Sequence, residues 1–172
     1  MPVLRPAEAA DMAAIAAIYR HHVLTGVATF EEDPPTPEEM ARRHAGVAGR
    51  GLPWLVAEAE GRLLGYAYAG PYHGRSAYRF TLEDSIYLDP AAAGRGLGTR
   101  LLDRLLVETT ALGARQMVAI IGDSGNTASI ALHARAGFVH VGTARSVGLK
   151  LGRWIDTVIM QCALGPGDAT LP

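Results

Sequence analysis

Two groups of residues in this chain have the types and spacing to do chemistry. Gly94, Gly96 and Gly98 alternate with Arg95 and Leu97 directly ahead of Thr99 and a leucine-rich stretch. Glycine has no Cβ, so such a loop lets several backbone N–H groups approach one anion, and the helix that follows adds the positive end of its dipole. A phosphate or pyrophosphate is the ligand this arrangement suits. The second group is Glu83-Asp84, upstream in Thr-Leu-Glu-Asp-Ser-Ile-Tyr-Leu, with Phe80, Leu82, Ile86 and Leu88 on one strand parity and Thr81, Glu83 and Ser85 on the other. A carboxylate among apolar neighbours is partly desolvated, which raises its pKa toward the range of a working base.

The glycine loop does not fit the common nucleotide motifs. A triphosphatase loop needs a lysine after its last glycine, where this chain has Thr99-Arg100. A dinucleotide fingerprint needs its third glycine one place later and an acid about 20 residues on, but the Gln116 to Val118 region has none.

The elements that must position these groups follow from periodicity. Val3 to Arg5 reads as a short strand, and Glu8 to Leu24 as a helix with Met12, Ile15, Ile18, Tyr19 and Val23 on one face. Thr25 to Pro35 reads as a loop, and Thr36-Pro37-Glu38-Glu39 starts a second helix that runs to Ala48. Trp54 to Ala59 and Leu63 to Ala69 are antiparallel strands around Glu60-Gly61-Arg62, and Tyr78 to Leu88 is a long strand. A helix from Gly96 places Leu101, Leu102, Leu105, Leu106 and Leu112 on one arc. Gln116 to Ile121 is a buried strand, Asn126 to Arg135 a helix, and Val139 to Thr143 with Thr157 to Leu164 a terminal hairpin. Residues 1–164 form one domain in this reading, and 165–172 a tail that frays.

Composition narrows the classes. Sixteen Lys and Arg against seventeen Asp and Glu leave a formal charge of -1, so no basic field exists to hold a nucleic acid. No apolar run approaches the roughly 18 residues a membrane span requires, and Cys162 is alone, with apolar neighbours. The expectation is a cytoplasmic protein with no membrane or nucleic-acid partner. The histidines show no metal-ligand spacing with Cys162 or with one another, so no metal is implied.

Taken together, Arg95-Gly96-Leu97-Gly98 between a strand and a helix, the next strand, Asn126, and a second helix ending in Gly137-Phe138 resemble the GCN5-related N-acetyltransferase family. The resemblance covers nearly the whole chain. It implies an α/β (α+β) fold with a mixed, mostly antiparallel sheet of about seven strands that splays after the fourth, flanked by about four helices. It also implies acetyl-coenzyme A as co-substrate, its arm on the backbone of Ile86, Tyr87 and Leu88 and its pyrophosphate on Gly94, Arg95, Gly96, Leu97, Gly98 and Thr99. Asn126 would contact the cofactor from the neighbouring turn, with Ser129 beside it. The chain departs from the family at Ala93, where Gln or Arg is frequent, and at His133, where many members have the tyrosine that protonates the departing thiolate. Imidazole can supply that proton near neutral pH, and a helix-surface histidine with a packing role is the alternative.

Acyl transfer to an amine that is largely ammonium requires a proton acceptor, and Glu83 is the candidate. The alternative is a solvent-facing carboxylate or one paired with Arg75 or Arg79. Asp84, of opposite parity, is set apart from the site in this reading. The N–H of Leu88 is placed to stabilise the thioester oxygen as it gains charge. Arg75 to Glu83, Ile86-Tyr87-Leu88, Gly152 to Asp156 and Met160-Gln161 are similar to the phosphinothricin and methionine sulfoximine acetyltransferase branch of that family. The branch implies an amino-acid-like acceptor with a free α-amine and a homodimer, with Trp154 in the core or at the subunit interface. Arg75 would pair with an anionic group of the acceptor, while Phe30, Glu31, Tyr72, His73, Gly74 and Tyr78 would wall its pocket. Another amine (a polyamine, an aminoglycoside or a protein N-terminus) and a non-catalytic acyl-coenzyme A sensor are the competing readings.

Overall fold

A computed structural model describes residues 2–172. Seven strands make one sheet: β1 (Val3–Pro6), β2 (Trp54–Ala59), β3 (Arg62–Pro71), β4 (Thr81–Leu88), β5 (Gln116–Gly122), β6 (Val139–Lys150) and β7 (Arg153–Ala163). Four α-helices flank it: α1 (Met12–Thr25), α2 (Pro37–Ala48), α3 (Leu97–Ala111) and α4 (Thr127–Arg135). The sheet order is β1-β2-β3-β4-β5-β7-β6, antiparallel throughout except for β4 and β5. This is the mixed, mostly antiparallel sheet expected. Among the described residues no helix is long and apolar enough to cross a membrane.

Two apolar cores hold the layers together, one on each face. Leu97, Leu101, Leu102 and Leu105 of α3 bury against Leu55, Ala67, Leu82, Met117 and Met160 of the sheet. On the other face Met12, Ile15, Tyr19 and Val23 of α1 and Met40 of α2 pack on Trp54, Val56 and Tyr66. Helix α2 starts where its cap dictates, with Thr36 Oγ1 accepting the Glu39 N–H at 3.2 Å.

Several boundaries differ from the periodic reading. The first helix opens with a 3-10 turn over Ala9–Asp11, and Ser76–Tyr78 is another, so β4 begins at Thr81 rather than Tyr78. The guanidinium of Arg79 lies 4.6 Å from the Phe80 ring centre, which occupies both residues in the turn that leads into the strand. Leu112 is the C-cap of α3 and is exposed, outside the arc assigned to it. The terminal hairpin is much longer than its apolar segments, because β6 and β7 keep pairing through two bulges to a tight turn at Leu151-Gly152. In the segment 165–172 the carbonyls of Gly167 and Leu171 accept from the Arg115 guanidinium.

The loop between α1 and α2 lies across the end of β5. A Cβ on Gly122 would overlap the Val27 carbonyl oxygen. Gly122→Ala is expected to push this loop off the sheet and cost about 1–3 kcal/mol through overpacking, read as a lowered thermal midpoint.

Candidate active site

Strands β4 and β5 pair in parallel only from Thr81↔Gln116 to Asp84↔Ala119, and beyond that they part. On their outer edges both remain paired, β4 with β3 to Leu88 and β5 with β7 to Gly122. The alternation of the ladder fixes what the gap contains. Tyr72 N–H donates to Thr81 C=O and Asp89 N–H to Leu64 C=O, so the odd residues of β4 bond β3 and the even ones face β5. Ile86 and Leu88 therefore turn their amides into the gap, whereas Tyr87 gives its backbone to β3 and only lines the cleft. His22 Nε2 donates to the Leu88 carbonyl at 2.8 Å, which leaves Leu88 its N–H and Ile86 both groups. Burial lowers the His22 pKa, consistent with a neutral ring that donates one proton.

The gap widens into a cleft of about 740 Å³. At its mouth Asp89, Pro90 and a 3-10 turn deliver the chain to Gly94 and Gly96, whose φ angles of 74° and 73° lie in the left-handed region. Gly96 is the N-cap of α3, and no atom stands within 4 Å of where its Cβ would be. Ile86, Tyr87, Leu88, Gly94, Gly96, Leu97, Gly98, Thr99, Asn126 and Ser129 all line the cleft, and Arg95 does not. Asn126 caps α4, its Oδ1 accepting the Ser129 N–H at 3.2 Å.

The proposed acceptor residues divide into two sets. Phe30 and Glu83 border the cleft, whereas Glu31, Tyr72, His73, Gly74, Arg75 and Tyr78 do not. Tyr72, His73 and Tyr78 gather their rings at centroid distances of 4.5 to 5.7 Å on the loop before β4, with Arg75 exposed in the same loop. Glu31 is already spent: Arg43 donates two hydrogen bonds to it and the Tyr19 hydroxyl a third. It braces the loop. Lys150, buried in β6, donates to the Thr29 carbonyl at 2.7 Å, and the Phe30 ring lies against Gly148 of the same strand.

Glu83 is half-buried, and no ion pair with Arg75 or Arg79 forms. Burial raises its pKa, and the neighbouring Asp84 charge raises it further. Asp84 does lie on the opposite face, as its parity requires, but both residues border the cleft because they sit where the strands part.

His133 is not a surface residue. Its side chain and that of Asp84 are 3% and 1% exposed, with Nε2 and Oδ2 3.0 Å apart. Nδ1 faces the Ser129 carbonyl at 2.8 Å. Burial opposes the charged ring, but the hydrogen bond to Asp84, its charge and the Ser129 carbonyl prevail, so the His133 pKa is raised. Sequence reasoning missed Asp84 and His22. The signals were present: Asp84 is a charge in the apolar row Leu82, Ile86 and Leu88, and His22 follows Ile15, Ile18 and Tyr19 at helical spacing.

The Acetyltransferase (GNAT) family model matches residues 15–138, and the chain belongs to this family. Within it, the chain is similar to phosphinothricin N-acetyltransferase of Alcaligenes faecalis, 59% identical over 162 residues that cover 94% of this chain and 82% of that one. It is also similar to L-methionine sulfoximine/L-methionine sulfone acetyltransferase of Salmonella typhimurium, at 39% identity over 161 residues and 94% of both chains. Among solved structures, a GNAT superfamily phosphinothricin acetyltransferase from Sinorhizobium meliloti in complex with AcCoA superposes with a TM-score of 0.96. The identity there is 50%, covering 99% of this chain and 92% of that one.

A raised His133 pKa stabilises the fold fully below the ordinary histidine value of 6.5, and the contribution is lost as pH rises through the folded value. The excess thermal midpoint of the wild type over His133→Gln is therefore expected to shrink as pH rises above neutrality, in paired melting curves.

Proposed function

We propose that this protein transfers acetyl from acetyl-coenzyme A to the free α-amine of a small amino-acid analogue with a tetrahedral, phosphinate- or sulfoximine-type head. The observation that carries the reading is the parted β4–β5 edge, where unpaired amides of Ile86 and Leu88 lie between a glycine loop built for a pyrophosphate and a bare, half-buried Glu83. The residues fit the donor on physical grounds: a polar strand edge would hold an extended amide-bearing arm, and the N-terminus of α3 an anion. Bound acetyl-coenzyme A would supply an activated acyl carbon.

The chain's own residues do the rest. Glu83, its pKa raised, takes the proton of the acceptor ammonium directly or through a water, freeing the nitrogen lone pair for attack. Leu88 N–H, with no partner on the β5 side, donates to the carbonyl oxygen as charge develops. Phe30 walls the acceptor, held in place by Gly148 and by Lys150 on Thr29. Arg75 and the Tyr72, His73 and Tyr78 rings would receive the anionic end of the acceptor, a reading supported by the names of the relatives and by the fork geometry of guanidinium.

The same reading makes the protein a cytoplasmic homodimer. Strand β6 ends the sheet with Val139, Val141, Val147 and Leu149 more than half exposed, and Trp154, the cross-strand partner of Leu149, is 65% exposed. Trp154 is thus not a core residue, and an unpaired edge with an apolar row favours a second copy as its cover. Leu149→Asp with Trp154→Asp is expected to sediment as a monomer at concentrations where the unaltered protein is a dimer.

The reaction is tested by thiol release from acetyl-coenzyme A with phosphinothricin, methionine sulfoximine, methionine sulfone, common amino acids, a polyamine and an N-terminal peptide. The first three are expected to stimulate release most. Release by the peptide or polyamine alone would move the reading to that acceptor, and release by none would favour a sensor. Glu83→Gln is expected to bind acetyl-coenzyme A as the wild type does and to lose on the order of 100-fold or more in turnover at neutral pH. With wild-type enzyme, kcat/KM should rise with pH through the elevated Glu83 value.

A further inference from the structure

Nδ1 of His133 lies 2.8 Å from the Ser129 carbonyl, with the Ser129 hydroxyl farther off at 3.4 Å, and Nε2 faces the carboxylate of Asp84. A neutral imidazole carries one N–H and can serve only one of the carbonyl and the carboxylate, so these two nearer partners favour the doubly protonated ring. Neither N–H is then free to be handed to a ligand. The family's usual acid at this place donates a proton outright, whereas a ring engaged at both nitrogens has no N–H to spare for that role.

What the pair offers is a fixed dipole whose positive end is the imidazolium. Asp84 is the last residue of β4 that pairs with β5, so the pair closes the apex of the gap, where an arm lying along Ile86 and Leu88 would end. The second carboxylate oxygen, Oδ1, is buried without a hydrogen-bond partner and belongs to a residue that lines the cleft. A buried carboxylate oxygen at the cleft can accept a hydrogen bond from an N–H of whatever occupies it. The remaining titratable groups near the pair are Glu83 beside Asp84 on β4 and the Cys162 thiol on β7, both raised by burial first and by the Asp84 charge second. Phe138 contributes only its ring, edge-on to the imidazole at 5.0 Å.

We propose that Asp84 is a positioning residue that acts through His133, holding it as an imidazolium at the apex of the cleft so that its positive charge stabilises the departing sulfur. This rests on the acetyl-transfer reading above. Glu83 passes the ammonium proton on to solvent before attack; when the nitrogen–carbon bond forms and the carbon–sulfur bond breaks, the electron pair stays on sulfur and the second nitrogen proton goes to Glu83. The imidazolium faces the new anion without giving up its proton, and the thiolate is protonated afterwards from water. Without Asp84 the ring becomes neutral in its buried setting, and the sulfur must leave uncompensated.

The test begins with no substrate at all. Histidine side-chain nitrogen NMR of the free wild-type protein is expected to show both His133 nitrogens protonated at neutral pH, and one of them unprotonated in Asp84→Asn. Turnover of Asp84→Asn with acetyl-coenzyme A and methionine sulfone is expected to fall about tenfold or more at mildly alkaline pH, with little change in KM for acetyl-coenzyme A. The alkaline limb of its kcat profile should move to lower pH, and Asp84→Glu should restore it in part. A neutral His133 in the wild type overturns the proposal, as does an Asp84→Asn enzyme whose rate falls without movement of that limb, the signature of a merely structural residue. If methionine sulfone proves not to be an acceptor, the acetyl-transfer reading suffers, while the nitrogen spectra still decide the state of His133.

Discussion

The structure depends on one interrupted ladder. Parallel strands normally stay paired along their shared length, and leaving backbone amides without partners is costly wherever water is excluded. Here β4 and β5 share four residues and then separate, each still anchored on its other side. The separation is enforced from both flanks. Leu88 packs in the core beneath α3, while α1 reaches the same residue with His22 and holds its carbonyl. The open edge is thus a fixed feature of the fold, and the amides in it are already aimed.

Around that edge the two carboxylates of β4 fall on separate faces of the sheet. The odd residues of β4 carry Glu83 and Ser85 toward the α1–α2 side, and the even residues carry Asp84, Ile86 and Leu88 toward α3 and α4. A one-residue slip of β4 would exchange the two sets and leave neither arrangement workable. The close approach of Gly65 to Leu88 Cδ2, 2.5 Å from where a Cβ would sit, guards the register from the β3 side.

Much of this was legible in the sequence. An apolar row of period 2 gave β4, a nearly continuous apolar run gave β5 and leucines at helical spacing gave α3, while the glycine triplet marked the loop that leads into that helix. The length of the β6–β7 hairpin was not legible, because its distal half has exposed apolar residues and glycines and therefore no alternation to read. The engagement of Glu31 by Arg43 and the inward turn of His133 also escaped. Both depend on tertiary partners, Arg43 on α2 and Asp84 on β4, whose distance in sequence hides them from any local pattern. Parity separated Glu83 from Asp84 correctly, yet it could not say that at the end of a paired segment both faces open onto the same space.

The contact between Phe30 and Gly148 gives one side of the cleft a particular kind of support. The loop that carries Phe30 has no regular backbone ladder of its own, and its order is borrowed from Tyr19 and Arg43 on the helices, Gly122 on β5, and Gly148 and Lys150 on β6. Two of those supports sit on the outermost strand of the sheet, where pairing within one chain is one-sided. Opening of that edge would therefore loosen the Phe30 ring while Glu31 and the cleft between the central strands stayed held. The seat of the Phe30 ring is only as durable as the margin of the sheet it leans on.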